Sequence, residues 1–243
     1  MSELTDTLVV LPALNEEASV GDVVREVLTK LPGVACLVVD DGSRDDTAGR
    51  ARAAGALVAR LPFNLGVGAA MRVGFRYAIE NGYSNVVQID ADGQHDPASV
   101  PRMLEELRTA DVVIAARFAG AGRYDARGPR RWAMRVLAFG LSRVTGTRLT
   151  DATSGYRASG PRAVAVFVEN YPAEYLGDTV ESLVIAARSG LAVRQIATEM
   201  RPRAAGEPSH NPVKAAAYLG RAVMALGFAL IRPKSSYPSE VSR

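Results

Sequence analysis

The stretch "NVVQIDADGQHDP", residues 85–97, decides the fold, because a run of buried-type residues in it ends in acids at alternating positions. The apolar run predicts a buried strand. Residues two apart in an extended chain point to the same side, so Asp90 and Asp92 project together. Their carboxylates would repel each other unless a cation lies between them. A polar turn is the other interpretation, and it suits Asp96, because Asp before Pro97 is typical of a helix start.

The chemistry of the alternating acids indicates which cation would bind. Hard divalent cations prefer oxygen ligands, and Mg²⁺ or Mn²⁺ usually keeps positions open for phosphate. Gln94 continues the spacing of Asp90 and Asp92 and adds a neutral oxygen. The stretch therefore predicts a Mg²⁺ or Mn²⁺ site made of these three residues. His95 is out of register with them, and we assign it no catalytic part.

On both sides of this stretch, strand-like and helical patterns alternate. The predicted strands lie at 7–14, 35–41, 56–61, 85–90 and 111–118, and the helices between them at 18–31, 43–55, 67–81 and 97–109. Ser43 is the predicted N-cap of the second helix. This order predicts an α/β protein with a Rossmann-like, mainly parallel sheet and helices on both faces.

Polar residues follow the predicted strands at their carboxyl ends, where such sheets bind ligands. Asp40 and Asp41 there could accept hydrogen bonds from a ribose or a base, whereas Asp45 and Asp46 suit the start of a helix. We expect one crevice to be formed by a larger set: Asn15, Glu16, Asp40, Asp41, Asp90, Asp92 and Arg117.

The second half of the chain lacks this regular alternation. A Gly- and Arg-rich loop follows residue 120, and helices are predicted near 130–145, 161–169 and 179–189, with a strand-like run at 191–200. The segment 146–160 reads as a loop, and an apolar helix is predicted at 213–231. Because no linker separates two units, we expect one domain over residues 1–232 and a disordered tail at 233–243.

Charge is distributed unevenly along the 243 residues. Residues 1–100 carry 8 Lys and Arg against 14 Asp and Glu, a net charge of −6, whereas residues 101–243 carry 21 against 12, a net charge of +9. The second half should therefore attract anions such as phosphorylated substrates or an anionic lipid surface. No nucleic-acid-binding motif is present, so we expect no nucleic-acid partner.

Signals for export and for membrane insertion are weak. The start "MSELTDT" is not typical of a signal peptide, and no run of about 18 uncharged apolar residues occurs. The single Cys36 lies in an apolar run and predicts a buried thiol. We expect a cytoplasmic protein. The helix at 213–231 has two interpretations of equal weight. It is either a helix that lies on the cytoplasmic membrane face or docks on a membrane partner, or an Ala-rich helix packed on the domain.

Five motifs together resemble family 2 glycosyltransferases: "LPALNEE", "VVDDGSRDDT", "NLGVGAAMRVGF", "QIDADGQHDP" and "DATSGYR". They are most similar to the polyprenyl-phosphate branch, of the dolichyl-phosphate mannose synthase type. The resemblance implies a glycosyltransferase A fold, a UDP- or GDP-sugar donor, a polyprenyl phosphate acceptor and inversion of the sugar. It also implies a nucleotide-sugar-binding half at about 7–118 and an acceptor half at about 119–232.

The resemblance assigns roles to residues of this sequence. Nucleotide-binding positions are Pro12, Leu14, Glu16, Asp40, Asp41, Gly66, Asp90 and Ala91. Metal ligands are Asp90, Asp92 and Gln94, and acceptor-binding positions are Ser154, Gly155, Arg157 and Arg203. The expected catalytic residues are Asp92, Arg117, Arg131 and Asp151.

Transfer of a sugar needs its leaving diphosphate to be neutralised, which a divalent ion and Arg side chains can do. A phosphate acceptor is already anionic and needs no strong base, whereas a hydroxyl acceptor needs one, and Asp151 is then the candidate. Two other functions stay open, a glycosyltransferase with a soluble hydroxyl acceptor and a non-catalytic nucleotide-sugar-binding module.

Overall fold

The computed structural model describes residues 2–116, 129–151, 153–172 and 178–201. Within them, seven strands form one sheet in the order β3-β2-β1-β4-β6-β5-β7. Every neighbouring pair is parallel except the two that β6 makes with β4 and β5. The strands are β1 (Thr7–Ala13), β2 (Ala35–Asp40), β3 (Leu57–Arg60), β4 (Asn85–Gln88), β5 (Val112–Ala116), β6 (Arg157–Ser159) and β7 (Val193–Ala197).

Helices connect most of these strands. They are α1 (Ser2–Thr5), α2 (Val20–Lys30), α3 (Thr47–Ala53), α4 (Val67–Glu80), α5 (Val100–Glu106), α6 (Pro129–Thr145), α7 (Pro161–Asn170) and α8 (Asp178–Arg188), and a 3₁₀ turn covers Pro97–Ser99. Every helix predicted within the described residues is present, with ends that differ by a few residues.

The two faces of the sheet bury separate apolar clusters because successive side chains of a strand point to opposite sides. Leu8 and Val10 of β1 pack in the cluster that holds apolar residues of α4, α6, α7 and α8. Val9 and Leu11 pack in the other cluster, with α2, α3 and α5. The predicted mainly parallel sheet with helices on both faces is thereby confirmed.

Strand β6 corrects the prediction of a loop at 146–160. Three residues, Arg157–Ser159, pair antiparallel with both β4 and β5 in the middle of the sheet. A strand of three residues that contains an Arg and a Ser carries no apolar run, so periodicity could not reveal it.

The helix starts show one error and one success. Ser43 is not the N-cap of α3, which begins at Thr47 after Asp46. The Ser43 hydroxyl instead accepts a hydrogen bond from the amide of Asn15 at 2.9 Å. Asp96 does cap the 3₁₀ turn, because its carboxylate accepts from the Ala98 amide and Pro97 is the first residue of the turn.

Burial raises the pKa of the Cys36 thiol to about 12, in agreement with the predicted buried thiol. Among the residues described, no helix has the length and apolarity needed to cross a membrane. The predicted helix at 213–231 and the tail at 233–243 lie outside the described residues.

Gly74 of α4 provides a test of how closely this helix packs on the sheet. A Cβ atom there would lie 2.7 Å from Cγ1 of Val10, so Gly74→Ala should lower the free energy of unfolding by about 1–2 kcal/mol through overpacking. Gly21 of α2 is the matched control, since the nearest atom to its added Cβ is 3.5 Å away. Gly21→Ala should leave stability unchanged or raise it by up to about 1 kcal/mol. Urea unfolding of both variants checks this, and equal effects would contradict the packing argument.

Candidate active site

A cleft of about 490 Å³ opens where β1, β2 and β3 end. It is lined by Leu14 and Asn15 after β1, by residues 42–44 after β2 and by residues 62–64 after β3. Its size falls in the range of small-molecule sites, and its position at the carboxyl ends of parallel strands is where such folds bind ligands. Of the predicted nucleotide-binding residues, Leu14 lies in the lining.

The loops after β1 and β2 are held together by side chains that bond to backbone. The Asn15 amide donates to Ser43 Oγ, and Asn15 Oδ1 accepts from the Arg44 amide, both at 2.9 Å. The Glu16 amide donates to Thr47 Oγ1 at 2.8 Å. Asn15 has a φ of 55°, a left-handed conformation that Asn tolerates better than most residues. These contacts fix one wall of the cleft before any ligand arrives.

The two acids at the end of β2 are buried and bonded within the protein. Asp40 accepts from the Ser43 amide at 2.9 Å, and its other carboxylate oxygen faces Arg60 Nε at 3.2 Å as an ion pair without hydrogen-bond alignment. Asp41 accepts from the amides of Leu65 and Gly66 at 2.7 and 2.8 Å. Burial raises the pKa of Asp41, against the effect of these two amides. Both carboxylates therefore support the loops around the cleft.

The remaining predicted nucleotide-binding residues are not part of the cleft lining. Pro12 pairs with Val39 within the sheet, and Ala91 is buried directly after β4. The Glu16 carboxylate accepts from Ser19 Oγ at 2.8 Å. Gly66, with a φ of 92°, immediately precedes α4. Their nucleotide-binding roles stay predictions.

The acids after β4 differ in exposure. The Asp90 side chain is 42% exposed, whereas Asp92 is buried and accepts the Gln94 amide at 3.0 Å. The Gln94 side-chain amide donates to the Arg201 carbonyl at 3.5 Å. Within the described ranges, no three His, Cys, Asp or Glu side chains gather into a metal-binding group. Two carboxylates and an amide oxygen nevertheless fit Mg²⁺ or Mn²⁺, which commonly takes one or two carboxylates and completes its shell with phosphate and water.

Gly155 lies against one of these acids, Asp90. Because β6 runs antiparallel to β4 with Arg157 opposite Gln88, continuing the register places Gly155 opposite Asp90. A Cβ atom on Gly155 would lie 3.0 Å from Gln88 Nε2 and 3.1 Å from Asp90 Oδ1. The absence of a side chain at Gly155 therefore allows the loop before β6 to approach the Asp90 carboxylate.

The other predicted residues of this loop are buried and bonded to protein groups. Ser154 Oγ donates to the Ala115 carbonyl at 2.7 Å. Arg157 donates to the carbonyls of Ser154 and Thr179 and to Ser182 Oγ, at 2.8–2.9 Å. Asp151 accepts from the amide and hydroxyl of Thr153 at 3.1 and 2.9 Å. Their acceptor-binding and catalytic roles stay predictions.

Arg117 and Arg203 lie outside the described residues, and Arg131 belongs to α6, where its side chain is not described.

A network of ion pairs involves the loop of residues 90–96 after β4, which we call the acid loop. Asp96 contacts Lys30 Nζ and Arg201 Nη2, both at 2.8 Å, and the same two cations contact Glu26 at 2.7 Å. Arg201 also donates its backbone amide to the Gln94 carbonyl at 3.0 Å. The network joins α2 to the acid loop and to the chain just after β7.

Sequence reasoning missed several residues of this site. It did not assign a role to Arg44, Phe63 or Asn64, although a lone aromatic in a turn after a strand was a usable signal, and Phe63 is 62% exposed. It assigned His95 no catalytic part, and in the structure the ring of His95 is buried against Asp90.

Comparison with known proteins agrees with this geometry. The family described as "Glycosyl transferase family 2" matches residues 8–165. The undecaprenyl-phosphate mannosyltransferase of Micrococcus luteus is 32% identical over 210 residues, which cover 82% of this chain and 85% of that protein. The polyprenol monophosphomannose synthase of Mycolicibacterium smegmatis is 35% identical over 167 residues, covering 63% of this chain and 60% of that protein.

Solved structures agree on the fold. Glucosyl-3-phosphoglycerate synthase from Mycobacterium tuberculosis, in complex with Mn²⁺, UDP and glucosyl-3-phosphoglycerate, has a TM-score of 0.71 at 26% identity, over 94% of this chain and 81% of that one. Its complex with Mg²⁺ and UDP has a TM-score of 0.70 at 25% identity, over 96% and 84%. The chain belongs to glycosyltransferase family 2 and is a glycosyltransferase. The predicted family, its polyprenyl-phosphate branch and the glycosyltransferase A fold are confirmed.

Asp96 makes the stability of the acid loop depend on pH. Burial works to raise the pKa of Asp96, but hydrogen bonds from Lys30, the Ala98 amide and Arg201 lower it from 3.8 to about 2. A carboxyl with a lowered folded pKa stabilises the fold above its unfolded pKa, and this contribution is lost as the pH falls through the folded pKa. Asp96→Asn should therefore cost about 1 kcal/mol of unfolding free energy at neutral pH, and the difference should shrink between about pH 4 and pH 2.

Urea unfolding of both proteins at several pH values checks this. Asp22→Asn is the control, because Asp22 is 80% exposed and pairs with Arg25 on the surface of α2. An Asp96→Asn deficit that stays constant from neutral to acidic pH would contradict the assignment.

Gly155→Ala tests the close approach to Asp90. The added Cβ should displace the Asp90 carboxylate and lower kcat/KM for sugar transfer by about 10- to 100-fold while the thermal unfolding midpoint changes little. Gly160→Ala is the matched control, since its nearest contact would be an ordinary 3.6 Å. Equal activities for the two variants would show that the space beside Asp90 is not needed.

Proposed function

We propose that this chain transfers a sugar from a UDP- or GDP-sugar to a polyprenyl phosphate, with inversion and with the help of Mg²⁺ or Mn²⁺. The observation that carries the proposal is the position of Asp90 and Asp92. They follow β4, next to the strand whose loop forms the nucleotide-sized cleft, and Asp90 lies against the Gly155 backbone. A nucleoside in the cleft could thus extend its diphosphate towards the two carboxylates.

Asp90 and Asp92 would hold the cation, with Gln94 as a further oxygen ligand. When bound, the cation neutralises charge on the leaving nucleoside diphosphate. Crystals of the structurally similar glucosyl-3-phosphoglycerate synthase contain Mn²⁺ or Mg²⁺ together with UDP, which supports this choice of metal. The chain itself would orient the metal ligands, since the Gln94 amide donates to the Asp92 carboxylate and holds it in place. Asp90 is the more exposed carboxylate of the two.

The donor nucleotide is proposed as UDP or GDP. The cleft after β1, β2 and β3 presents the side chains of Asn15, Arg44 and Asn64, which can bond to either base, together with the exposed ring of Phe63. UDP in the similar solved structures supports uridine. The names of the relatives specify mannose but no nucleotide, so GDP stays part of the proposal beside UDP.

A polyprenyl phosphate acceptor is supported by relatives whose names specify undecaprenyl phosphate and polyprenol. A phosphate oxygen is anionic at neutral pH and attacks without a strong base. Asp151 agrees with this, because one of its carboxylate oxygens is occupied by two hydrogen bonds from Thr153. Such an acceptor would bring the protein to a membrane surface, and we propose peripheral attachment on the cytoplasmic face.

A second candidate is transfer to a soluble acid. Glucosyl-3-phosphoglycerate synthase, which shares the fold, was solved with phosphoglyceric acid and with the glucosylated product. The experiment therefore offers both a lipid phosphate and a small phosphorylated acceptor.

A donor and acceptor screen with the full-length chain tests the proposal. UDP- and GDP-sugars labelled in the sugar are incubated with undecaprenyl phosphate or 3-phosphoglycerate, with Mn²⁺, Mg²⁺ or a chelator. We expect label in the organic-extractable product only when a divalent ion is present. Asp92→Asn should lower transfer by about 100-fold or more because charge neutralisation is lost.

Asp46→Asn is the control for that variant, since Asp46 is exposed at the start of α3. If label appears only in glycosylated phosphoglycerate, the acceptor is the soluble acid and the proposed lipid acceptor is wrong. Transfer that persists in Asp92→Asn with chelator would contradict the metal-dependent reaction.

A further inference from the structure

The imidazole of His95 is buried directly behind Asp90. Its side chain is 1% exposed, whereas the Asp90 side chain is 42% exposed. The Asp90 backbone amide donates to His95 Nδ1 at 3.1 Å, and His95 Nε2 lies 3.6 Å from Asp90 Oδ2. Both ring nitrogens of one His therefore face the same Asp, one towards its backbone and the other towards its carboxylate.

These two contacts define the tautomer of the ring. A backbone N–H can only donate, so Nδ1 must be the nitrogen without a proton, and the ring proton is on Nε2. The Nε2–H group is then on the side of the Asp90 carboxylate. At 3.6 Å the interaction is an electrostatic attraction rather than a formed hydrogen bond. It favours the orientation of Asp90 in which Oδ2 stays near the ring.

The ring itself has little freedom. It stacks on Tyr156 with centroids 4.7 Å apart and planes 16° apart, and Tyr156 is fully buried. The Tyr156 hydroxyl donates to the Asp96 carbonyl at 2.7 Å. The backbone of His95 forms an antiparallel bridge with Met200. A buried ring that is stacked on one face and whose backbone is paired can impose a direction on a half-exposed neighbour.

We infer that His95 is a positioning residue that holds Asp90 in the orientation needed to bind the divalent cation: its Nε2–H group attracts the carboxylate, and the Asp90 amide bonded to Nδ1 keeps the ring proton on Nε2. This inference rests on the proposed metal-dependent function. Partners behind a metal ligand commonly fix its direction, and their loss typically weakens metal affinity or activity by about 10- to 100-fold. An imidazole that served only to fill the core would not need both nitrogens directed at one residue.

Two isosteric substitutions separate the two contacts. In His95→Asn, the side-chain oxygen can take the place of Nδ1, while the group at Nε2 is lost. In His95→Gln, the side-chain NH₂ can take the place of Nε2–H, while the acceptor for the Asp90 amide is lost. Tyr156→Phe is the matched control, because it removes the hydroxyl contact to Asp96 and keeps the ring under His95.

Mn²⁺ binding to the full-length chain, in the presence of UDP or GDP, is measured by electron paramagnetic resonance. We expect His95→Asn to weaken the Mn²⁺ affinity by about 10-fold, and His95→Gln and Tyr156→Phe to stay within about 3-fold of the wild type. Hydrogen exchange of the Asp90 amide, measured without metal, should be fast in His95→Gln and slow in His95→Asn. Thermal unfolding of each variant confirms that it is folded.

Wild-type affinity in His95→Asn, or an equal loss in Tyr156→Phe, would overturn the positioning role while leaving the proposed function intact. If exchange of the Asp90 amide is unchanged in His95→Gln, the amide is not protected by a hydrogen bond to His95 Nδ1. A wild-type chain that binds no Mn²⁺ in the presence of either nucleotide would overturn the metal-dependent function and this inference together.

Discussion

The pairing of β6 between β4 and β5 is the constraint on which the site depends. Six strands run parallel, and this one runs against them, with hydrogen bonds on both sides. The register that places Arg157 opposite Gln88 also sets the loop before β6 opposite the acids after β4. Parallel strands alone would bring polar residues to one edge of the sheet. The antiparallel strand adds backbone from a distant part of the chain to that edge.

Close packing at this point depends on small and buried groups. Gly155 leaves room for the Asp90 carboxylate, and Ser154 is anchored to the Ala115 carbonyl of the next strand. Arg157 is buried and directs its guanidinium to carbonyls and a hydroxyl of the protein. The loop is thus held by bonds that do not involve a ligand. The position of Asp90 is set by the fold before a donor arrives.

The acids at the end of β2 also fix loops through bonds within the protein. A carboxylate at the end of a parallel strand is as useful for fixing a loop as for binding a ribose, and the sequence carries no sign of which. Asp41 accepts two backbone amides just before α4, and Asp40 accepts the Ser43 amide and faces Arg60. These acids hold the loops next to the cleft, while uncharged residues such as Asn15 and Phe63 lie in its lining.

Much of the fold could be predicted from the sequence because apolar periodicity records burial. It identified β1 to β5, the helices between them and the carboxyl-end location of the site. It missed β6, since a strand of three residues is defined by its partners and has no pattern of its own. It misplaced the start of α3, because the Ser43 hydroxyl accepts from the Asn15 amide of the neighbouring loop rather than capping its own helix.

The acid loop shows why residue spacing gave only part of the site. Spacing predicted that Asp90 and Asp92 project together from a strand, but β4 ends at Gln88 and only Asp90 is half-exposed. It identified Asp96 as a cap. It could not show that the chain folds back so that His95 lies beneath Asp90 while Asp96 joins Lys30 and Arg201. Neighbouring residues of one loop thereby have different surroundings: Asp90 is half-exposed, whereas Asp96 pairs with Lys30 of α2 and with Arg201. The buried His95 ring and the ion pairs of Asp96 hold the acid loop, and this support allows the half-exposed Asp90 carboxylate to keep a defined direction.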